Sequence, residues 1–221
     1  MARRKARLDD AAKEAGDTAF AIECDVTDEE STKAAIAQSA ERLGGIDALI
    51  YAPAIGPLAR LADIDAATWR RTFDTNVMGA ALMTSAALPH LTESHGTAVY
   101  LSSVSASMTP PWPGLGAYIV TKAALDKLVE AWRVEHPDVA FTRLIVGDCT
   151  GGEGDSMTGF ANDWDMELAA ELGTIWVAKG YIAGAFISVD DLVHAVDGIV
   201  RGGASVSMPT VTLAPRPLAP S

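Results

Sequence analysis

The sequence predicts a doubly wound α/β fold, in which helices cover both faces of a parallel β-sheet. Short apolar runs alternate with longer amphipathic stretches along the chain, as strands and helices do in such folds. Connections long enough to hold a helix join parallel strands, and a parallel sheet is buried on both faces. In these sheets, ligands bind beyond the carboxyl ends of the strands.

Five apolar runs predict buried strands, over residues 18–24, 47–51, 96–102, 139–146 and 205–213. Four amphipathic stretches predict helices, over residues 28–43, 67–91, 117–135 and 190–200. Thr27 or Asp28 is expected to cap the first helix, and Gly44 with Gly45 to end it. Residues 147–184 are Gly-rich and are expected to be irregular.

The length and composition fit one soluble domain. Apolar residues make up 49% of the 221 positions and charged residues 21%, the balance of a globular protein with a substantial core. We expect this domain to cover residues 1–213. The Pro-rich residues 214–221 are expected to form a loose tail.

The net charge argues against two classes of partner. With 17 basic and 29 acidic side chains, the chain carries a formal charge of −12. This charge repels phosphate backbones and anionic lipid, so neither nucleic acid nor a membrane is an expected partner. The basic start, which contains Arg3 and Arg4, is not followed by the apolar region of a targeting peptide.

Cys24 and Cys149 are the two cysteines of the sequence. Two cysteines do not form a disulfide framework, and without clustered histidines they do not form a zinc site. The pattern indicates a cytoplasmic protein with free thiols, and no metal site is expected.

Tyr118 and Lys122 are the first candidate chemical pair. Their i, i+4 spacing on a predicted helix places both side chains on one face. A neighbouring ammonium favours the phenolate and so lowers the pKa of a tyrosine from about 10, which makes it a better acid and base. Taken alone, the pair is better explained as a helix-surface pair without function.

Two further polar features accompany this pair. Ser102, Ser103 and Ser105 lie at or just past the end of a predicted strand, where a hydroxyl could donate to a substrate carbonyl or simply form a turn. Asn76 lies in the middle of a predicted helix, a position that asparagine disfavours. The alternative for Asn76 is a tolerated kink next to Gly79.

The order of these motifs resembles that of the short-chain dehydrogenases/reductases. The motifs are Asp25-Val26, the TNVMG of residues 75–79, the LSS of residues 101–103 and the YIVTK of residues 118–122. The resemblance covers residues 2 to about 200. It implies a Rossmann-type domain that transfers a hydride between a nicotinamide cofactor and a carbonyl or alcohol carbon.

The resemblance assigns a role to each catalytic candidate. It implies that Tyr118 is the general acid/base, that Lys122 lowers the pKa of Tyr118 and binds the nicotinamide ribose, and that Ser103 polarises the substrate oxygen. Asn76 would hold a water that relays protons to Lys122. Ser105 matches the usual spacing to the tyrosine better, but Ser103 matches the strand end and a two-residue loop insertion is easily accommodated.

The cofactor contacts implied by the resemblance include departures from the family pattern. Asp25 and Val26 would meet the adenine. The usual Asn-Asn-Ala-Gly is replaced by Tyr51, Ala52, Pro53 and Ala54, which removes hydrogen bonds between central strands and changes the surface under the adenosine ribose. The usual Pro-Gly after the sixth strand is also missing, and Thr150 in that segment is expected to reach the carboxamide.

The family's Gly-rich phosphate loop is not found in this sequence. Residues 2–5 resemble the end of the family's second strand, so about the first 35 to 40 residues of the pattern are missing. We expect unpaired strand edges, and the simplest explanation is a misassigned start codon or a truncated gene. Arg3 and Arg4 follow that strand, where basic residues favour the 2′-phosphate of NADP over NAD.

The leading hypothesis is an oxidoreductase that prefers NADP(H), with NAD(H) as the alternative, and acts on a small to medium apolar carbonyl or alcohol. A substrate lid over about residues 147–188 could line an apolar pocket with Phe160, Trp164, Trp176, Tyr181 and Phe186, or pack them on the core. The second hypothesis is a catalytically silent binding or interaction protein, or a gene fragment. The resemblance also implies a homodimer or homotetramer.

Overall fold

A four-stranded parallel sheet forms the centre of the fold. The computed structural model describes residues 1–150, 159–182, 184–202 and 205–216. Within them the strands lie in the order β1-β2-β3-β4, with every neighbouring pair parallel. The strands are β1 (Ala48–Tyr51), β2 (Thr97–Ser103), β3 (Ala140–Val146) and β4 (Thr210–Leu213). The predicted α/β class with a parallel sheet is confirmed.

Helices connect these strands and cover the sheet. They are α1 (Lys5–Ala15), α2 (Glu29–Leu43), α3 (Ala66–Phe73), α4 (Gly79–Ser94), α5 (Val104–Ser107), α6 (Gly116–Glu135), α7 (Met166–Ala178) and α8 (Val189–Val200). The predicted cap of α2 is Asp28, whose Oδ1 accepts a hydrogen bond of 2.6 Å from Ser31 N. Gly44 ends the helix in the left-handed region, at φ 79°. In the described part of the chain, no helix is long and apolar enough to cross a membrane.

Both faces of the sheet are covered by apolar packing, as the alternation along β2 shows. Tyr100 points to the face where Leu125 and Val129 of α6 pack. Its neighbour Val99 points to the opposite face, where it packs with Ile199 of α8. Both strand residues are fully buried, so the sheet is the middle layer of a three-layer domain.

The predicted strand over residues 18–24 is wrong. Its backbone makes one isolated bridge, between Ala2 and Glu23, with hydrogen bonds from Ala2 N to Ile22 O (3.4 Å) and from Cys24 N to Ala2 O (3.1 Å). A strand needs a partner along its length, and the partner segment turns into α1 at Lys5. Ile22 and Cys24 are nevertheless buried. The apolar pattern here therefore reflects burial and not a ladder of strand hydrogen bonds.

The prediction that residues 147–184 are irregular is also wrong for part of the segment, because α7 lies within it. Asp165 caps this helix by accepting hydrogen bonds from the backbone of Glu167 and Leu168. Leu172 and Trp176 face the interior one turn apart. Residues 151–158 and 183 lie outside the described residues, as do residues 217–221 of the expected tail.

Candidate active site

A cavity of about 620 Å³ opens at the carboxyl ends of β2 and β3. The first turn of α6 forms one wall, and residues that follow β1 and β3 form others. Six of the predicted site residues line it: Ala52, Ala54, Ser103, Tyr118, Lys122 and Thr150. Its volume is that of a small-molecule site, and its position is where ligands bind in doubly wound sheets.

Tyr118 and both candidate serines meet in this cavity. The hydroxyl of Ser103 lies beside the phenol of Tyr118 and stabilises its ionised form, but burial dominates and raises the pKa of Tyr118 to about 12. The Ser103 and Ser105 hydroxyl oxygens are 2.8 Å apart, and Ser105 N donates to Ser103 Oγ. Ser103 therefore contacts the phenol, and Ser105 contacts Ser103.

Lys122 lies one helical turn beyond Tyr118 and is only 2% exposed. Its Nζ lies 5.7 Å from the centre of the Tyr118 ring and donates a hydrogen bond of 2.5 Å to Leu101 O at the end of β2. Burial lowers the pKa of Lys122 to about 8, and the charge of Asp126 acts in the opposite direction. The amine thus titrates near the pH at which proteins work.

Asn76 is fully buried and connects the loop after β1 to α6. Its Oδ1 accepts from Ile55 N (2.8 Å), and its Nδ2 donates to Ile55 O (2.9 Å) and to Thr121 Oγ1 (2.8 Å). Thr121 Oγ1 in turn donates to Tyr118 O at 2.7 Å. Asn76 therefore fixes the turn of helix that carries the tyrosine, and its side chain does not itself line the cavity.

The helix around Asn76 adopts a π conformation over Asp74–Met78, between α3 and α4. The asparagine is tolerated in mid-helix because its side chain makes three hydrogen bonds, and π segments often occur at functional positions. The partners of Asn76, Ile55 and Thr121, were missed by sequence reasoning. Only the position of Thr121, next to Lys122 in YIVTK, marked it as a neighbour of the candidate pair Tyr118 and Lys122.

Tyr51 replaces part of the hydrogen bonding that the altered segment was expected to lose. It is buried at the end of β1, and its hydroxyl donates to Thr75 O at 2.5 Å. A Cβ at position 79 would collide with this hydroxyl, so Gly79 leaves the space that the phenol fills. Burial also raises the pKa of Tyr51, which keeps the hydroxyl a donor.

We expect Tyr51→Phe to lower the free energy of unfolding by about 1–2 kcal/mol, because the Thr75 carbonyl then loses its donor in a buried place. Chemical denaturation measures this difference. Tyr181→Phe is the matched control, because no described residue offers the Tyr181 hydroxyl a hydrogen bond. An equal loss in both variants would contradict the role given to Tyr51.

The residues predicted to meet the adenine lie apart from this cavity. Arg3 and Arg4 are exposed, and Arg4 immediately precedes α1. Asp25 accepts hydrogen bonds from Thr27 N (3.0 Å) and Thr27 Oγ1 (2.8 Å), which hold its pKa below the usual value, and the charge of Arg3 adds to this effect. Arg3 and Asp25 therefore lie on the same part of the surface.

Val26 and Pro53 complete the predicted cofactor set. Val26 is half-buried beside Gly79, and Pro53 is exposed outside the cavity lining. At the other end of the set, Thr150 N donates to Ile187 O at 2.9 Å, beside the bridge between Cys149 and Ile187. This bridge fixes Thr150 at the cavity rim, where it is exposed.

Aromatic side chains from the predicted lid form the roof of the cavity. Phe160 contacts Tyr118 edge to face, with ring centres 5.0 Å apart. Trp164 Nε1 donates to Gly56 O (2.8 Å) and Trp176 Nε1 donates to Pro113 O (3.0 Å). Phe160, Trp164, Trp176 and Phe186 line the cavity, whereas Tyr181 packs on Trp112 behind it.

A family model described as enoyl-(acyl carrier protein) reductase matches residues 1–137, more than half of the chain. Proteins named as short-chain dehydrogenases/reductases are among both the sequence relatives and the structural neighbours. The chain belongs to the short-chain dehydrogenase/reductase family.

Two relatives illustrate the range of the match. An uncharacterized oxidoreductase of Schizosaccharomyces pombe is 35% identical over 119 residues, covering 53% of this chain and 47% of the relative. The 11-beta-hydroxysteroid dehydrogenase A of Sesamum indicum is 33% identical over 152 residues, covering 66% of this chain and 43% of the relative. The chain spans about half the length of the curated relatives it matches.

Solved structures share the fold at low identity. An alcohol dehydrogenase from Thermococcus sibiricus complexed with 5-hydroxy-NADP matches with a TM-score of 0.79 and 22% identity, over 100% of this chain and 86% of its own. A 3-ketoacyl-(acyl-carrier-protein) reductase from Brucella melitensis complexed with NADH matches with a TM-score of 0.75 and 22% identity. The match covers 96% of this chain and 83% of the reductase chain. The chain therefore shares the fold of these two proteins.

Proposed function

We propose that this chain is an oxidoreductase that prefers NADP(H) and transfers a hydride between the nicotinamide and a carbonyl or alcohol carbon of a small to medium apolar substrate. The observation that carries the proposal is the meeting of Tyr118, Ser103 and Lys122 in one cavity under an aromatic roof. Membership of the family supports the reaction class.

In the proposed reduction, the nicotinamide supplies the hydride when bound. The hydroxyl of Tyr118 donates its proton to the substrate oxygen as negative charge develops there. Ser103 Oγ donates a second hydrogen bond to the same oxygen, and its neighbour Ser105 holds it in that orientation. In the reverse direction, the ionised Tyr118 accepts the proton of the alcohol.

Lys122 supports Tyr118 in this proposal. A phenol with a pKa of about 12 is a poor base near neutral pH, so the ammonium must stabilise the phenolate as the proton leaves. Asn76 acts by fixing Ile55 and Thr121, which hold the helix turn of Tyr118. A water ordered beside Asn76 that passes protons to Lys122 is part of the same proposal.

The residues present fit the nicotinamide half of the cofactor. The described residues offer the Lys122 ammonium one hydrogen-bond acceptor, Leu101 O, which leaves donors for ribose hydroxyls. In this proposal Thr150, at the cavity rim, binds the carboxamide. Ala52 and Ala54 have no bulky side chains and leave the cavity wall open between them and Lys122.

The adenosine half would be held by the surface that carries Arg3, Arg4, Asp25, Val26 and Pro53. The exposed guanidinium groups of Arg3 and Arg4 supply the charge that a 2′-phosphate requires, and this is the basis for the proposed preference for NADP. Because Asp25 already accepts two hydrogen bonds from Thr27, it is less available to bind a ribose hydroxyl.

The proposed substrate is neutral and apolar because the roof offers ring faces and no charge. The indole N–H groups of Trp164 and Trp176 are already bonded to backbone carbonyls, so these rings present apolar surface to the cavity. Among the described lining residues Lys122 is the only lysine or arginine, and in this proposal it binds the ribose. We further propose a cytoplasmic homodimer or homotetramer.

Cofactor oxidation by the purified chain tests this function. We expect NADPH to be oxidised with benzaldehyde, a neutral aromatic probe, and more slowly with the anionic probe glyoxylate. NADH should be oxidised less efficiently than NADPH, and the double substitution Arg3→Ala with Arg4→Ala should remove this difference. Oxidation of neither cofactor with any carbonyl of a broad panel would contradict the enzymatic function and favour a silent binding module.

A further inference from the structure

A buried group of charged side chains lies directly behind the catalytic pair. Asp126 follows Lys122 by one turn of α6, and it is only 5% exposed. Arg143 of β3 places its Nη1 at 3.4 Å from Asp126 Oδ2 and at 3.5 Å from Glu130 Oε1. Tyr118, Lys122 and Asp126 therefore form a row along one face of the helix.

Polar atoms in this group lack hydrogen-bond partners of good geometry among the described residues. They are Ser102 Oγ, both carboxylate oxygens of Asp126 and Arg143 Nε. Ser102 nevertheless lies near enough to the carboxylate to lower its pKa, although burial dominates and raises that pKa. Such a cluster is costly to bury and contributes little to stability, which argues for a role in function.

The charges that face this carboxylate come from three directions. Lys122 and Arg143 are positive and favour its ionised form, whereas Glu130 is negative and opposes it. Ser102 on β2 contributes a neutral hydroxyl. The charge that acts on Lys122 is that of Asp126, which is itself paired with Arg143. On the cavity side, the titratable neighbour of Lys122 is Tyr118.

We propose that Asp126 is a positioning residue, whose carboxylate, held by Arg143, keeps Lys122 in its ammonium form beside Tyr118. A buried amine with no negative neighbour loses its proton readily, and a neutral amine cannot stabilise a phenolate. Asp126 is not among the residues that line the cavity. It acts through Lys122, from the side of the helix turn that faces the sheet.

The consequence for pH dependence has a definite sign. Removing the negative charge of Asp126 destabilises the ammonium, so Lys122 titrates at a lower pH and the active form is lost earlier as the pH rises. An opposite charge within about 4–6 Å shifts a pKa by about one unit or more, and the charge of Asp126 acts on Lys122 in this direction. On the proposed function, the alkaline limb of kcat/KM would move down by the same amount.

NMR of isotope-labelled lysine side chains tests this directly in the 221-residue chain. Lys122 is one of six lysines, and its signal is assigned by its loss in Lys122→Met. In Asp126→Asn we expect the titration midpoint of Lys122 to fall by about one pH unit. In Asp126→Glu, which keeps the negative charge, the midpoint should fall by less. Glu130→Gln, which also removes a partner of Arg143, should leave the midpoint nearly unchanged.

An unchanged midpoint in a folded Asp126→Asn variant would overturn the proposal, and so would an equal shift in Glu130→Gln. The unmodified chain gives a test that needs no substitution. Its Asp126 carboxyl signal should show an inflection at the pH where Lys122 titrates, because each group feels the charge of the other. A carboxyl signal without that inflection would equally overturn the proposal.

This inference rests on the proposed function only for its effect on turnover. The titrations need no cofactor and no substrate. A chain without oxidoreductase activity in which the Lys122 midpoint still depends on Asp126 would therefore contradict the function and leave the coupling intact. An active chain in which the Lys122 midpoint does not depend on Asp126 would contradict the coupling and leave the proposed function intact.

Discussion

Tyr118→Phe is expected to lower kcat by roughly 10²- to 10⁴-fold, the usual contribution of a positioned general acid. The substitution removes the hydroxyl proposed to transfer the proton to the substrate, while the ring keeps its edge-to-face contact with Phe160. The aromatic roof and the helix turn fixed by Thr121 should therefore stay in place. Steady-state kinetics with NADPH and the best carbonyl of the panel measure the loss.

The binding of NADPH separates chemistry from structure in this experiment. Calorimetry should show little change in cofactor affinity for Tyr118→Phe, because the proposed ribose contact belongs to Lys122. Ser105→Ala is a useful comparison, since Ser105 contacts Ser103 and not the phenol, and it should cost much less than Tyr118→Phe. A Tyr118→Phe variant that keeps more than about a tenth of kcat would contradict the role of the phenol.

Lys122→Met is expected to abolish turnover and, at the same time, to stabilise the fold. Burial lowers the pKa of this lysine from 10.5 to about 8, so at neutral pH the folded chain holds an ammonium in an unfavourable place. At ~1.4 kcal/mol for each pH unit, the difference corresponds to about 3 kcal/mol of unfolding free energy. Methionine has a similar length and no charge to bury.

The pH dependence of this effect has a fixed direction. The pKa in the folded chain lies below that in the unfolded chain, so between about pH 8 and pH 10.5 the unfolded state binds more protons. The native protein therefore gains stability as the pH rises through this window, and Lys122→Met lacks that gain. The advantage of the variant is full below about pH 8 and disappears by about pH 10.5.

Urea unfolding at several pH values measures both statements. Lys127→Met is the matched control, because Lys127 lies on the same helix and its side chain is exposed. This control should change neither stability nor turnover by much. A Lys122→Met variant that is less stable than the native chain at pH 7 would contradict the account of a strained, buried ammonium.

The active-site helix was the part of the fold most readily predicted from sequence. Apolar residues recur along its 20 residues at helical spacing, and the i, i+4 spacing alone places Tyr118 and Lys122 on one face. The predicted ends of β2 and β3 agree with the observed ends to within one or two residues. Both strands are buried on both faces, so each gives a short, nearly continuous apolar run in the sequence.

Features that depend on distant partners were not predictable. The apolar run over residues 18–24 has the composition of a strand. Whether it pairs along its length depends on a partner strand from another part of the chain. Asn76 was marked by its unusual position, yet periodicity reveals neither the π bulge that contains it nor its bonds to Ile55 and Thr121. Asp126 gave no signal, since a helical aspartate is normally a solvated residue.

The lid shows the same division. Its aromatic residues suggested an apolar pocket from composition, and four of them line the cavity. The helix α7 within it was missed because the Gly-rich flanks outweighed the cap at Asp165 and the spacing of Leu172 and Trp176. The backbone carbonyls that hold the two indoles come from segments more than sixty residues away, so no local pattern could indicate them.

Calorimetric titration of the 221-residue chain with NADPH, followed by NADH, tests the central claim most directly. The account predicts binding in the micromolar range with NADPH ahead of NADH, and a large loss of affinity in Lys122→Met, which removes the proposed ribose contact. Lys127→Met should bind as the native chain does. Absence of binding at millimolar cofactor, with the chain folded, would contradict the claim that these residues form a nicotinamide site.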